Sequence, residues 1–198
     1  YDYQFITNKV GLNYRYIGEK LNYTLGQEIR LLVLHPGQDE EDLVCDIRHV
    51  NLLDRPAYEA VSYTWRDALG DHTLRRPIRC YGKTIWITAN CQAALYCLHR
   101  RHRRRSLWVD AVCIDQMNDA ERNHQVRLMS TIYSSASQVL VYLAPPSPSS
   151  RQSINTLLKN LNDIDDIGQE VQLWPLRHAL THFLALQYWR RVWVRKLL

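Results

Sequence analysis

Short apolar runs alternate with helix-like patterns through the middle of the chain. Three runs, at residues 58–65, 107–114 and 138–143, are rich in the residues that are typical of buried strands. The segments between them place apolar residues at the spacing of amphipathic helices. Because strands that alternate with helices form right-handed βαβ units, the pattern predicts an α/β fold with a parallel sheet flanked by helices.

The N-terminal part of the chain carries weaker patterns. Residues 1–28 show no sustained periodicity, which predicts an irregular N-terminal extension. Apolar runs at 29–34 and 44–52 predict N-terminal strands added to the core. A β-hairpin is predicted at 78–87, where Gly82 permits the positive φ of a tight turn.

A Pro/Ser-rich stretch at 145–150 separates the last predicted strand from a C-terminal helical part at 151–198. Two helices are expected there, at about 151–164 and 175–197. We therefore expect one domain at 29–198, with its core at 57–144.

Polar residues mark the starts of two helices in the core. Thr88 or Asn90 can cap the first, and Asn118 the second. Glu121 stands three residues after Asn118, which predicts a capping box in which Glu121 reaches back to the cap. The apolar face predicted for the second helix consists of Val126, Met129, Ile132, Tyr133 and Ala136.

Composition places the chain among globular proteins. Hydrophobic residues make up 46% and charged residues 23%, which argues against wholesale disorder. The five cysteines include no C-x-x-C pair, so we expect reduced thiols in a cytosolic or nuclear setting and no structural zinc site. No apolar run approaches the roughly 18 residues of a membrane span. These features predict a soluble protein.

The net charge of +5 is concentrated in the basic run at 99–105, HRRHRRR. One interpretation is a solvated helix end, where cations complement the helix dipole. The alternative is a surface for nucleic acid, an anionic membrane or an acidic partner. No interleaved aromatic and glycine pattern accompanies the run, so nucleic-acid binding is the less favoured function.

Polar side chains gather where the predicted strands end. Ligands of open α/β sheets bind beyond the carboxyl ends of the strands, which places Ser62, Tyr63, Trp65, Asp110 and Asp115 at the edge where chemistry is expected. A carboxylate there can orient a hydroxyl or stabilise a developing cation, and burial would raise its pKa into a useful range. It can equally cap backbone N–H groups of the following helix, with Arg122 as ion-pair partner.

Other reactive groups have structural alternatives. Cys113 is a candidate thiol nucleophile with His124 or His72 as base, but strand alternation would bury it beside Val109 and Ala111. Trp65 and Trp108 can stack on a flat ligand. Outside the core, His178 and His182 lack the glutamate of a zinc-protease motif, and the spacing of Trp189 and Trp193 favours packing.

Six sequence blocks, in order, resemble the fungal heterokaryon incompatibility (HET) domain, which is distantly similar to TIR domains. They are YEAVSYTW at 58–65, the segment 85–90 with Ala94 and Leu95, LWVDAVCIDQ at 107–116, the helix residues from Glu121 to Ala136, VLVYL at 139–143 and YWRRVW at 188–193. The motif residues to which the resemblance gives a structural role are Trp108, Cys113, Arg122, Gln125, Tyr133 and Trp193.

The resemblance implies a flavodoxin-like or TIR-like fold and a cytoplasmic protein of fungal non-self recognition. Such a domain triggers programmed cell death when a partner or a linked sensor domain signals incompatibility, and it is expected to act by regulated association, including self-association. No cofactor is required, but some TIR-like proteins cleave NAD as a substrate. The corresponding NAD cleft here would comprise Ser62, Tyr63, Trp65, Asp115 and Gln116, with Asp110 and Glu121 as catalytic carboxylates.

Four positions depart from the family pattern. Arg66 stands where a glycine usually follows the tryptophan, and Asp115 replaces an asparagine. Lys196 falls where the resemblance expects a glutamine, and Leu197 falls where it expects the catalytic glutamate. We therefore expect weak or no NAD hydrolysis unless Asp110 or Glu121 supplies the missing carboxylate.

Overall fold

The computed structural model describes residues 20–22, 26–37, 41–67, 69–143 and 155. The chain divides into two compact units, 1–142 and 143–198, and the described residues belong almost entirely to the first. Apart from Asn155, which is helical, the predicted helices at 151–164 and 175–197 lie outside the described residues, as do His178, His182, Trp189, Trp193 and Leu197. In the part that is described, no helix is long and apolar enough to cross a membrane.

Seven strands and three α-helices make up the described part of the first unit. The strands are β1 (Glu28–Leu34), β2 (Val44–Asn51), β3 (Glu59–Tyr63), β4 (Arg76–Cys80), β5 (Lys83–Ile87), β6 (Arg105–Trp108) and β7 (Gln138–Tyr142). The helices are α1 (Ala89–Leu98), α2 (Asp110–Cys113) and α3 (Asp119–Ser135), and a short 3-10 helix spans Leu52–Asp54.

All seven strands form one sheet in the order β5-β4-β2-β1-β6-β3-β7. Strands β6, β3 and β7 run parallel, as do β2 and β4, whereas β1 is antiparallel to both of its neighbours. The predicted α/β fold, a sheet flanked by helices, is confirmed. The sheet is mixed, and its all-parallel section is the β6-β3-β7 group.

Strand β1 is the central strand of the sheet and not an addition at its side. Its apolar residues on both faces are almost completely buried, namely Ile29, Leu31, Leu32 and Leu34. A strand that is buried on both faces needs a neighbour on each edge, and β1 finds these in β2 and β6. Arg30 lies within this apolar strand and is itself only 1% exposed.

The run at 107–114 is not one strand, contrary to the prediction. Strand β6 ends at Trp108, Val109 is extended, and the chain then turns into the short helix α2. The N–H of Cys113 donates to the carbonyl of Val109 at 2.8 Å, and the Cys113 sulfur accepts from the N–H of Val109 at 3.3 Å. These local bonds close the turn, so the alternation expected for Val109, Ala111 and Cys113 does not occur.

Strand β7 forms where predicted but is an edge strand. Val139 and Val141 remain 45% and 48% exposed, so the expectation of a third fully buried strand is wrong. A five-residue apolar run has the same composition whether or not a neighbour covers it, which is why the sequence did not distinguish an edge from a centre.

Local turn and cap signals are confirmed. Tyr81 and Gly82 occupy the hairpin turn with φ of 48° and 71°. Thr88 caps α1 by accepting from the N–H of Cys91, and Asn118 caps α3 by accepting from the N–H of Glu121 at 3.1 Å. The other half of the capping box does not form, because the carboxylate of Glu121 has different partners.

Helix α3 buries a partly polar face. Ile132 and Tyr133 are buried as predicted, whereas Val126 is 48% exposed and Gln125 is completely buried. The side chain of Gln125 donates to the carbonyl of Glu28 at 2.9 Å, which ties α3 to the start of β1. The buried face therefore follows hydrogen bonds to the sheet as well as apolar spacing.

The basic run does not end a helix. Helix α1 ends at Leu98, and His99 is already extended, so residues 99–104 of the run lie in the loop before β6, which begins at Arg105. Arg105 differs from its neighbours because it is buried and its guanidinium contacts Glu59 at 2.6 Å. The exposed members of the run are Arg100, Arg101, His102, Arg103 and Arg104.

Candidate functional site

The carboxyl ends of β3, β6 and β7 meet at one edge of the sheet. In the register of these strands Ala60 lies opposite Trp108, and Tyr63 lies opposite Tyr142. Trp65 follows β3 and Asp110 follows β6, and the indole N–H of Trp65 donates to Oδ2 of Asp110 at 2.9 Å. The structure thus brings together two residues that the sequence assigned to this edge.

Asp110 is held by several hydrogen bonds and is only 7% exposed. Its Oδ1 accepts from the N–H of Ala111 at 2.8 Å, so the carboxylate binds the first turn of α2. Its backbone carbonyl accepts from the side chain of Gln116 at 2.8 Å. Trp65, Asp110 and Gln116 therefore form one connected cluster, which we call the edge cluster.

The loop that carries Trp65 is fixed by Asn90 at the start of α1. The side-chain amide of Asn90 donates to the carbonyl of Arg66 at 2.7 Å, and to the carbonyl and the hydroxyl of Thr64 at 3.1 Å each. Asn90 is itself buried. The sequence predicts Asn90 only as a helix cap, because no neighbouring residue indicates a bond to a loop 24 residues earlier.

Ser62 and Tyr63 are buried inside the domain. Ser62 is 1% exposed and Tyr63 is completely buried. The phenol of Tyr63 contacts the thiol of Cys91 on α1, whose pKa is raised by burial. Neither side chain is exposed to solvent, and their assignment to an NAD cleft stays a prediction.

Glu121 forms a buried ion pair with Arg30. Arg30 donates to both carboxylate oxygens, through Nη1 to Oε1 and through Nη2 to Oε2, the latter at 3.1 Å. Oε1 also accepts from the N–H of Asp115 at 2.6 Å. The two side chains are only 1% and 2% exposed. The carboxylate therefore joins β1, the α2–α3 loop and α3, and its predicted catalytic role stays untested.

Arg30 has further partners that sequence reasoning missed. Its Nη1 donates to the carbonyl of Cys113 at 3.2 Å, and its Nε donates to the ring of His49 on β2 at 3.3 Å. The one available signal was an arginine inside the apolar run at 29–34. Because a buried arginine requires a partner, that signal predicts an acid but not which one.

The α2–α3 loop is ordered by its own polar groups. Burial raises the pKa of Asp115, and its Oδ1 accepts from the N–H of Met117 at 3.1 Å. Arg122 donates to the carbonyl of Gln116 at 2.9 Å and pairs with Asp119 at 2.6 Å. The structure thus gives Arg122 a pairing with Asp119, a neighbour on the same helix.

Cys113 has the properties of a packed residue. It is completely buried, and burial raises the pKa of its thiol to about 12. A thiol with that pKa is protonated at neutral pH, and only the thiolate is a strong nucleophile. The geometry therefore favours the packing interpretation over thiol catalysis with His124 or His72.

Trp108 and Tyr133 join β6 to α3. Their rings meet edge to face with centroids 5.5 Å apart, and Trp108 is completely buried. The Tyr133 hydroxyl donates to the carbonyl of Val61 at 3.3 Å, and the Tyr58 hydroxyl donates to the carbonyl of Ile132. Trp108 therefore belongs to the core, and the expectation that it stacks on a ligand is wrong.

Within the described residues, no group of three or more His, Cys, Asp or Glu side chains is arranged to hold a metal ion. The edge cluster offers one carboxylate, one indole and one amide, with Asp115 beyond them in the same loop. The carboxylate of Asp110 accepts from the indole of Trp65, and this bond joins the loops that follow β3 and β6.

The comparisons with known proteins agree on one family. The model of the family described as "Heterokaryon incompatibility protein (HET)" matches residues 58–196. A curated relative, "Heterokaryon incompatibility protein 6, OR allele" of Neurospora crassa, is 35% identical over 152 residues. That match covers 72% of this chain and 21% of the relative, so the chain spans about a fifth of the relative's length. No solved structure gives a significant match.

The family match covers the edge cluster, which consists of Trp65, Asp110 and Gln116, and it also covers Glu121. It extends over more than two thirds of the chain. The chain therefore belongs to the heterokaryon incompatibility (HET) protein family.

Proposed function

We propose that this chain is a signalling module of fungal heterokaryon incompatibility, which triggers cell death by regulated association with a partner, a linked sensor or a second copy of itself. Membership of the family supports the incompatibility role, and so does the similarity to heterokaryon incompatibility protein 6 of Neurospora crassa. The module acts through its TIR-like α/β domain and does not depend on turnover of a substrate.

The main support for a function without substrate turnover is the hydrogen bonding of the two candidate catalytic carboxylates. Glu121 accepts two hydrogen bonds from the buried guanidinium of Arg30 and one from a backbone N–H. Asp110 accepts from the indole of Trp65 and from the N–H of Ala111. Both acids thus stabilise the loops at the carboxyl edge. This structural role is compatible with a signalling module that does not turn over a substrate.

Induced expression of the chain in fungal cells tests the proposal. We expect loss of viability, measured as colony formation after induction, and we expect it to need the folded domain. The Glu121→Ala variant, which leaves Arg30 buried without its acid, should lose the effect together with the fold. The Asp119→Asn variant changes an exposed acid on the same helix and should keep the effect. Normal colony formation with folded, expressed wild-type protein would contradict the proposal.

A second candidate function is NAD hydrolysis at the edge cluster. The observation that favours it is the position of Asp110 beside Trp65 at the carboxyl ends of parallel strands, where α/β proteins bind nucleotides. Binding of NAD measured by titration calorimetry, and lost in Trp65→Ala but not in Leu69→Ala, is the outcome that this candidate requires. Leu69 is an exposed residue of the same loop, so its variant is the matched control.

A further inference from the structure

Cys45 on β2 and Cys80 on β4 are direct partners in the register of two parallel strands. Both are free thiols, and both are buried. Residues paired across neighbouring strands lie about 4.8 Å apart. That separation falls inside the Cα distance of roughly 4.4 to 6.8 Å that a disulfide spans. The two side chains therefore start within bonding reach of each other.

The two thiols already contact each other, and they differ in reactivity. The hydrogen bond from the Cys45 thiol lowers the pKa of Cys80, whereas the same pairing and burial raise the pKa of Cys45. Cys45 also donates to the carbonyl of Arg79 at 3.4 Å. Cys80 is thus the thiol that ionises more readily, and Cys45 is the protonated partner beside it.

The pair lies at a short seam of the sheet. Strands β2 and β4 are paired only at Val44 with Arg79 and at Cys45 with Cys80, among the residues that the structure describes. Farther along the same edge of β2, the backbone N–H and carbonyl of Ile47 bond to the hydroxyl of Tyr81 and not to β4. A two-pair seam next to an edge hairpin opens more readily than a central pairing, which gives a small oxidant access to Cys80.

We propose that Cys45 and Cys80 form a reversible oxidation site, at which hydrogen peroxide converts the two thiols into a disulfide that links β2 to β4. The Cys80 thiolate attacks one peroxide oxygen, the O–O bond breaks, and one water leaves after proton uptake. The resulting sulfenic acid is attacked by Cys45, the S–S bond forms, and the hydroxyl leaves as a second water. The two thiols together lose two electrons and two protons, and the peroxide is reduced to two waters.

The bond is reversible because a thiolate reductant attacks one sulfur of the disulfide and restores both thiols by exchange. The link would fasten the β4–β5 hairpin, and with it α1 and the Asn90 contacts, to the centre of the sheet.

Peptide mapping of the folded chain after oxidation tests the proposal. The reduced protein is treated with hydrogen peroxide, the remaining thiols are alkylated after denaturation, and the linked peptides are identified by mass spectrometry. We expect a peptide pair joined through Cys45 and Cys80, a mass about 2 Da lower for the intact chain, and recovery of both thiols with dithiothreitol. Cys91 and Cys113 should remain alkylatable.

Variants identify the pair and the order of the steps. The link should disappear in Cys45→Ser and Cys80→Ser and persist in Cys97→Ser, which changes an exposed cysteine. In the wild-type chain, a sulfenic-acid trap should label Cys80 before the disulfide accumulates, which provides a readout that needs no core substitution. The proposal is overturned if both thiols are still alkylated after the folded protein has been treated with peroxide, if either cysteine links elsewhere, or if the bond forms only in denaturant.

Discussion

At the scale of single residues, Arg30 shows how one buried charge organises the region around it. The guanidinium contacts Glu121 of α3, the carbonyl of Cys113 and the ring of His49. A buried guanidinium is costly unless its donors are satisfied, and these contacts come from three different elements. Arg30 therefore makes the position of the α2–α3 loop dependent on the central strand.

Breaking this ion pair should be strongly destabilising. In Glu121→Gln the charge of Arg30 loses its counter-ion, and we expect the free energy of unfolding to fall by about 3 kcal/mol. The Asp119→Asn control removes an exposed acid from the same helix and should cost less than about 1 kcal/mol. Urea unfolding followed by circular dichroism measures both. Equal effects of the two substitutions would show that the buried pair has no special role.

Glu59 gives the stability of the domain a dependence on pH. The guanidinium of Arg105 holds the pKa of Glu59 below its usual value, with a smaller contribution from Gln138. A carboxyl whose pKa is lower in the folded state stabilises the fold above its unfolded pKa of about 4.3, and that contribution is lost as the pH falls through the folded value.

We therefore expect Glu59→Gln to lower the free energy of unfolding at pH 7 and to have progressively less effect as the pH falls below about 4.3. Denaturant unfolding at a series of pH values gives the difference directly. Asp42→Asn, at an exposed pairing with Arg79, is the control with little change expected. A difference between wild type and Glu59→Gln that does not vary with pH would refute the linkage.

At the scale of secondary-structure elements, local signals predicted most strands, turns and caps. The hairpin at Tyr81 and Gly82 and the caps Thr88 and Asn118 depend on residues within a few positions of each other. The central position of β1 was missed because it depends on pairing with β6, which lies more than 70 residues later. The α2 turn was missed because an apolar run has one pattern for strand and buried helix alike.

The candidate site likewise contains some residues that could be predicted from the sequence and others that could not. The sheet edge and its residues Trp65 and Asp110 could be predicted, because parallel strands place their carboxyl ends together. Asn90 and Arg30 could not, since each acts on a loop far away in sequence. Non-local hydrogen bonds leave no periodic signal in a single chain.

Asn90 should control the loop that carries Trp65. In Asn90→Ala three acceptors on Thr64 and Arg66 lose their donor, and we expect the free energy of unfolding to fall by about 2 kcal/mol. Gln92→Ala, which removes one exposed hydrogen bond from the same helix, should cost less than about 0.5 kcal/mol. Hydrogen exchange of the loop amides at 64–67 should accelerate in the first variant and not in the second. Unchanged exchange in Asn90→Ala would contradict this role.

At the scale of the whole molecule, the segment that matches the family covers only part of the sheet. A mixed sheet with β1 at its centre carries three parallel strands, and the edge cluster forms where those strands end. The family match begins at Tyr58, one residue before β3, so β1 and β2 precede the matched segment yet contribute the centre of the sheet. Any shortened version of the domain should therefore keep residues from Glu28 onward.

Removal of β1 and β2 should abolish folding, because Arg30 and the apolar residues of β1 occupy the centre of the core. A chain that starts at residue 57 should lack a cooperative thermal transition, whereas one that starts at residue 20 should retain it. Calorimetry distinguishes the two, and a cooperative transition in the shorter chain would show that the matched segment folds without β1.

We propose that Asp110 and Glu121 hold the loops of the carboxyl edge together and do not turn over NAD. Nicotinamide release from NAD by the purified chain is the decisive measurement, with Asp110→Asn as the matched variant. We expect wild type and variant to release nicotinamide at the same rate as a protein-free control. Sustained release by the wild type, lost in a folded Asp110→Asn variant, would contradict it.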